Sequence, residues 1–364
     1  MATIRAHRRV PLASVVGVAA LCGSLAMSGC TKSEDPGGGG QSDGAGAAQV
    51  AQDAKADGPT CSLEQYGGKK LDLADTVVGF SQSEKEANPF RIAETKSIKD
   101  EAAELGVKQL LTTNANSQLS KQISDIQDMI NKGAQALIVA PLNSDGLEPA
   151  LSAARAKDIP VLTVDRKLNA KPCQDYVSFL GSDFVEQGKR AAKEMADTLG
   201  GKGKVAILLG ASGNNVTTDR TNGFVDELAK VAPNIEIVAK QTGEFARDKG
   251  QQVMEQIIQA KPGIDGVYAE NDEMALGALV ALKSAGKKPG SDIEVVSIDG
   301  TRNAVQKIVD GELAAVVESN PRFGPLALET LQTFLSGEPV AQNVVIKDKL
   351  YTADNAEAEV ANAY

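Results

Sequence analysis

An α/β fold of two doubly wound parallel-sheet lobes is predicted by three observations. Between Thr76 and Leu350, short apolar runs of strand length alternate with stretches of helical periodicity, for example Ile123, Ile126, Met129 and Ile130 on one face. The runs number about ten, too many for one comfortable domain, and the two halves of the chain repeat the same rhythm. Several runs end at polar residues, as happens where a parallel sheet presents side chains to a ligand at its carboxyl edge.

The first 29 residues read as a targeting segment: Arg5, Arg8 and Arg9 precede an apolar run from Pro11 to Met27, which ends in Met-Ser-Gly-Cys. This is the form of an export signal with a small-residue cleavage site. It resembles the bacterial lipoprotein signal, which implies cleavage before Cys30 and acylation of that residue; the competing reading is a plain secretory signal with Cys30 unmodified. Residues 30–58 are rich in Gly and poor in apolar side chains, so a flexible tether reaching roughly 30 Å is expected there.

Strands are expected at 76–80, 107–112, 136–140, 161–164, 176–180, 204–209, 235–239, 266–269, 293–298 and 314–317, with helices between them. Four of the strands deliver polar pairs at their ends: Ser81 and Gln82, Asp165 and Arg166, Asn271 and Asp272, and Asp299 with Gly300. Carboxylates, amides and guanidinium groups brought into one cleft offer fixed donors and acceptors suited to a small, hydroxyl-rich molecule, and imply no reaction. With Cys22 in the signal and Cys30 assigned to lipid, Cys61 and Cys173 remain for an oxidising compartment. Both lie just upstream of strands, on the sheet edge away from the cleft, so a disulfide is reasonable there, with free thiols as the alternative.

Composition excludes several classes. The 364 residues carry a formal charge of −10, and the first 29 contribute three arginines and no acid, so the remainder is more acidic still. Such a chain repels phosphate backbones, and nucleic acid is not an expected partner. The one histidine, His7, lies in the signal. Ser or Cys catalysis then lacks its usual base, and zinc lacks its commonest ligand. No cofactor or metal is expected, and the protein is not expected to be an enzyme. A Gly201-x-Gly203-x-x-Ala206 match to a dinucleotide fingerprint precedes a strand instead of following one and is set aside.

The motifs FSQ, NPFRIAE, APLNSDG, IPVLTVDR, DRTNGF, GEFARDKG, YAENDEMALGAL and VSIDGT occur in that order between about Asp75 and Tyr351. In order and spacing they resemble the periplasmic sugar-binding proteins of bacterial ABC importers, of the ribose-binding type. Arg91 stands where the ribose binders carry a second Phe, which is closer to the galactofuranose-binding pattern. The resemblance implies the type I periplasmic binding protein fold, two lobes joined by a three-segment hinge with ligand between them. The lobes would comprise 59–181 plus 320–346 and 182–319 plus 347–364, with crossings near Gly181–Asp183, Glu318–Asn320 and Val345–Lys349.

The resemblance also implies a ligand set. Asp165 and Arg166 grip sugar hydroxyls, Asn88 and Arg91 open a helix beside Phe90, and Arg220, Asn271 and Asp299 act from the second lobe. Ser81 and Gln82 join from the end of the first strand. Phe90 and Phe245 would cover the apolar face of a sugar ring, since the chain has no Trp. Glu318, near the middle crossing, is either a ligand contact or a hinge or surface acid. Phe90 as plain core and Arg220 as a solvated surface residue are the plain alternatives. Arg91 is expected to govern which sugar is chosen, and three acids (Asp165, Asp299, Glu318) facing three arginines would form a neutral lining.

Signal, tether and resemblance together imply an exported monomer, held to the outer face of the cell membrane by lipid on Cys30. It would capture a monosaccharide and deliver it to an ABC permease. The alternative is a sugar-sensing receptor that passes the closed form to a signalling partner.

Overall fold

The computed structural model describes residues 54–364; the expected export signal, Cys30 and the expected tether up to residue 53 lie outside the described residues. Two sheets organise the chain. The first has seven strands in the order β1 (Ala54–Cys61), β12 (Val340–Ile346), β6 (Ser178–Ser182), β5 (Val161–Val164), β4 (Ala136–Val139), β2 (Val77–Gln82) and β3 (Gln109–Asn114). The second has six: β13 (Leu350–Thr352), β11 (Ala315–Glu318), β10 (Glu294–Asp299), β9 (Gly266–Ala269), β7 (Lys202–Leu209) and β8 (Asn234–Thr242). All neighbours run parallel except β1 with β12 and β11 with β13.

Strands β4, β5, β9 and β11 are buried at every residue, which is why they read as unbroken apolar runs: helices cover both faces of a parallel sheet. The chain passes between the sheets three times, after Ser182, between β11 and the helix Gly324–Ser336, and between β12 and β13. That helix returns to the first sheet, where Phe323, Leu328, Leu331 and Phe334 share a core with Phe80, Ile98, Leu162 and Leu180. Gly324 is needed at its start, because a Cβ there would lie 2.1 Å from the Ser97 carbonyl oxygen of the helix Pro89–Glu104.

Two expectations need correction. Residues 54–58, read as the end of the tether, form most of β1 and pair with β12 from Ala54↔Ile346 onward. Gly58 and Pro59 hid this strand. They are tolerated because β1 is an edge strand and its pairing shifts register between Asp57 and Thr60. Strands β12 and β13 also fall outside the expected set, since only partners supplied by distant segments make them strands: β1 and β6 for β12, and β11 for β13.

Cys61 closes β1 and is bonded to Cys173, with the two Cα atoms 5.2 Å apart across 112 positions of sequence. The bridge sits where the parallel strands begin, away from their carboxyl ends. Closing so long a loop restricts the unfolded chain, an effect of about 4 to 5 kcal/mol in the chain-entropy model. Urea melts of the mature domain with and without reductant should therefore differ by up to that amount; coincident melting curves would contradict it.

Candidate ligand-binding site

The carboxyl ends of β2, β5, β9 and β10 face a small cavity lined by Glu84, Asn88, Phe90, Arg91, Asp165, Arg166, Val216, Arg220, Phe245, Asn271 and Asp299. It lies where the lobes meet. Across its rim, Ser144 N donates to the Gly213 carbonyl at 2.9 Å, Asn215 N to Ser144 Oγ at 3.1 Å, and Lys167 N to Asn215 Oδ1 at 2.9 Å.

Local sequence explains how each side chain gets there. Asn88 caps the helix Pro89–Glu104, its Oδ1 accepting from Arg91 N at 2.9 Å, so Phe90 and Arg91 sit in the first turn beside the cavity. Asn271 caps the helix Asp272–Ser284 in the same way through Met274 N at 3.0 Å, and its Nδ2 donates to the Phe245 carbonyl at 3.2 Å. Three lining residues have positive φ without being glycine: Asp165 (65°), Phe245 (60°) and Asp299 (142°). Such conformations cost about 1 to 3 kcal/mol each and persist only where the surroundings enforce them. At Asp299 the enforcing group is Asp272, whose carboxylate accepts from Ser297 Oγ, Gly300 N, Thr301 N and Thr301 Oγ1 at 2.6 to 2.9 Å.

The charged groups form one connected lining. Arg91 Nη1 donates to Asp165 at 2.7 Å and Glu94 at 2.8 Å, and its Nε to Glu84 at 3.2 Å. Arg166 Nη2 donates to the other Glu84 oxygen at 2.6 Å, and its Nη1 to the Leu142 carbonyl at 3.0 Å. Its Nε is buried without a hydrogen-bond partner, and the guanidinium lies 5.9 Å from the Phe245 ring centre. In the second lobe, Arg220 donates to Gln187 Oε1 at 2.9 Å and the Glu270 carbonyl at 2.5 Å, and stands 3.5 Å from Asp299.

Burial alone would raise the Glu84 carboxyl, but Arg166 and Arg91 outweigh it and hold the group at about 2. Glu94, fully enclosed behind Arg91, is instead raised by burial, with Arg91 only partly opposing. Asp299 is pushed well up, also by burial, against the pull of Arg220.

Nine of the twelve residues expected at the site line the cavity: Asn88, Phe90, Arg91, Asp165, Arg166, Arg220, Phe245, Asn271 and Asp299. Ser81, Gln82 and Glu318 do not. Ser81 Oγ accepts from Gln122, and Gln82 Nε2 donates to Glu94 at 2.8 Å and Thr95 at 3.2 Å, one layer behind the cavity. Glu318 accepts from Lys349 N at 2.9 Å and Tyr351 Oη at 3.0 Å, which makes it a hinge acid. The third acid facing the three arginines is thus Glu84. Sequence reasoning misses it because it lies in the polar loop after β2, where neither periodicity nor a strand end marks it.

Arg220 lies in the second turn of the helix Asn215–Val231 and is only 3% exposed, so the solvated reading fails. Phe90 both packs in the first-lobe core and faces the cavity.

A cleft of this kind, with paired charges and aromatic rings enclosed between two doubly wound lobes, defines a binding protein that closes over a small polar solute. The chain belongs to the periplasmic binding protein domain family, which matches residues 78–339. It is 37% identical over 301 residues to the ribose import binding protein RbsB of Bacillus subtilis (strain 168), covering 80% of this chain and 93% of that one. To the galactofuranose-binding protein YtfQ of Escherichia coli (strain K12) it is 35% identical over 292 residues, covering 79% and 91%. Among solved structures, one from Mycobacterium smegmatis in complex with β-D-fucofuranose matches with a TM-score of 0.75 and 38% identity, covering 78% of this chain and 93% of that one.

Arg91 compensates three carboxylates at once, so its replacement should disturb the fold as well as the choice of ligand. An Arg91→Phe variant leaves Glu84, Glu94 and Asp165 without their shared cation, and a loss of about 3 to 5 kcal/mol is expected from breaking such a buried cluster. Chemical denaturation measures it; a variant as stable as the parent would show that the cluster carries no such energy.

Proposed function

We propose that the protein captures a monosaccharide between its lobes and delivers it to an ABC permease. The observation that carries this reading is the cavity itself. Three guanidinium groups and three carboxyl groups line it together with two aromatic rings, so acids and cations are paired and the lining is dense in donors and acceptors. A neutral polyol can meet oriented hydrogen bonds on every side there, while Phe90 and Phe245 cover its C–H surface. Binding needs no proton transfer, and the role is that of a receptor, not of an enzyme.

Two of the three relatives above are named for, or hold, sugars in the five-membered ring form. With Arg91 in place of a second aromatic ring, a furanose is the favoured ligand class. Lobe boundaries at the three crossings let the lobes close over it, and closure is favoured because the closed form alone offers contacts from both sides.

The export signal and Cys30 complete the reading: a lipid on Cys30 holds a monomer at the outer face of the membrane beside its permease. A Cys30→Ala variant should partition from the membrane into the soluble exported fraction; retention on washed membranes would argue against the lipid.

Calorimetry against D-ribose, L-arabinose, D-galactose and D-fucose tests the ligand class. With the tightest binder of that panel, Asp165→Ala, Arg220→Ala and Asn271→Ala should each lose about 1.5 to 3 kcal/mol, since each leaves a buried partner unpaired. Unchanged affinity would overturn the site, and steady conversion of the sugar would overturn the receptor reading.

A further inference from the structure

The three crossings between the lobes meet around Asp348. Asp348, on the third crossing, accepts from the Ser182 hydroxyl on the first at 3.1 Å, and its neighbour Lys349 ties it to the second: Glu318 N donates to the Lys349 carbonyl at 3.0 Å and Lys349 N to Glu318 Oε2 at 2.9 Å. Its second oxygen accepts from Gln187 Nε2 at 2.7 Å. The same Nε2 donates to the Glu318 carbonyl at 3.2 Å, so both amide protons of Gln187 are directed at the hinge.

That fixes the other end of the amide. Gln187 is 1% exposed, and its Oε1 accepts from Arg220 Nε at 2.9 Å. Turning the amide over would set donor against donor at Arg220 and oxygen against oxygen at Asp348. The span between the two is held short by the backbone. Gly188, next in sequence, lies so close to the helix Asn215–Val231 that a Cβ would come within 2.3 Å of the Arg220 carbonyl oxygen. Arg220 therefore enters the cavity with one edge on the hinge, through Gln187, and another facing Asp299 at 3.5 Å.

We propose that Asp348 and Gln187 are positioning residues for ligand capture: Asp348 gathers the three crossings, and Gln187 carries their arrangement to the Arg220 guanidinium. Arg220 then presents its ligand-facing nitrogens only while the crossings hold the arrangement seen here, which ties the grip on the ligand to the state of the hinge. The cavity residues bind; these two, behind them, decide when the grip is complete. The inference rests on the sugar-site reading above.

A double-mutant cycle separates the two. With the tightest binder of the four sugars as probe, Gln187→Leu should weaken affinity at least tenfold in the parent, mostly through faster dissociation. In an Arg220→Ala background it should cost less than threefold, because its partner is already gone. Asp348→Ala should resemble Gln187→Leu, while Asp348→Asn, which keeps an acceptor for Gln187, should bind within threefold of the parent. Equal losses from Gln187→Leu in both backgrounds would overturn the proposal and leave the site standing. An Arg220→Ala variant that binds like the parent would overturn the site, and the proposal with it. If Gln187→Leu melts below the assay temperature, Gln187→Met, which keeps the length and removes both amide groups, is read in the same cycle against the same limits.

Discussion

Three guanidinium groups and four carboxyl groups, Glu94 behind the cavity among them, are buried against one another where the two lobes meet, and the rest of the cleft is arranged around keeping each of them paired. An isolated ion taken out of water there costs several kcal/mol, and the cost is offset only where opposite charges and hydrogen bonds surround it. Arg91 meets this demand with Glu84, Glu94 and Asp165, Arg166 with Glu84 and the Leu142 carbonyl, and Arg220 with Gln187 and the Glu270 carbonyl beside Asp299. The charged groups of the lining thereby have partners, and a neutral polyol can replace water in it without adding charge.

Pairing alone would not place these groups; the backbone has to turn them. Asp165 and Asp299 leave their strands at positive φ, which aims each carboxylate into the cleft where a regular strand would alternate it onto a covered face. The turn at Asp299 is held by the four hydrogen bonds that Asp272 accepts from Ser297, Gly300 and Thr301. Local strain is thus stabilised by a fully buried carboxylate that itself touches no ligand position.

The same sharing of groups links the cleft to the hinge. Gln82 holds Glu94, which holds Arg91; Gln187 holds Arg220 while its other end reaches Glu318 and Asp348. A change behind the cavity can therefore alter affinity without touching the ligand. It also changes the meaning of Arg91, which the sequence marks as a choice among sugars and the structure shows as the shared counter-ion of three acids.

Much of this was legible in the chain. Buried parallel strands read as apolar runs because helices cover both faces, so β4, β5, β9 and β11 are marked by their own residues; β1 is not, its edge position permitting Gly58 and Pro59. Asp165, Arg166, Asn271 and Asp299 were visible because a strand end is a sequence signal, and Asn88 and Arg91 because a cap and a Pro announce a helix. What the sequence determined by itself is the α/β class, the order of most elements and the polar strand ends, since these follow from periodicity and local turn chemistry. Only the tertiary structure decided that Glu84 completes the paired lining, that Ser81, Gln82 and Glu318 stand behind it, and that β12 and β13 are strands. Each depends on a partner brought from far along the chain, and no local pattern encodes the partner of a loop carboxylate or of an edge strand.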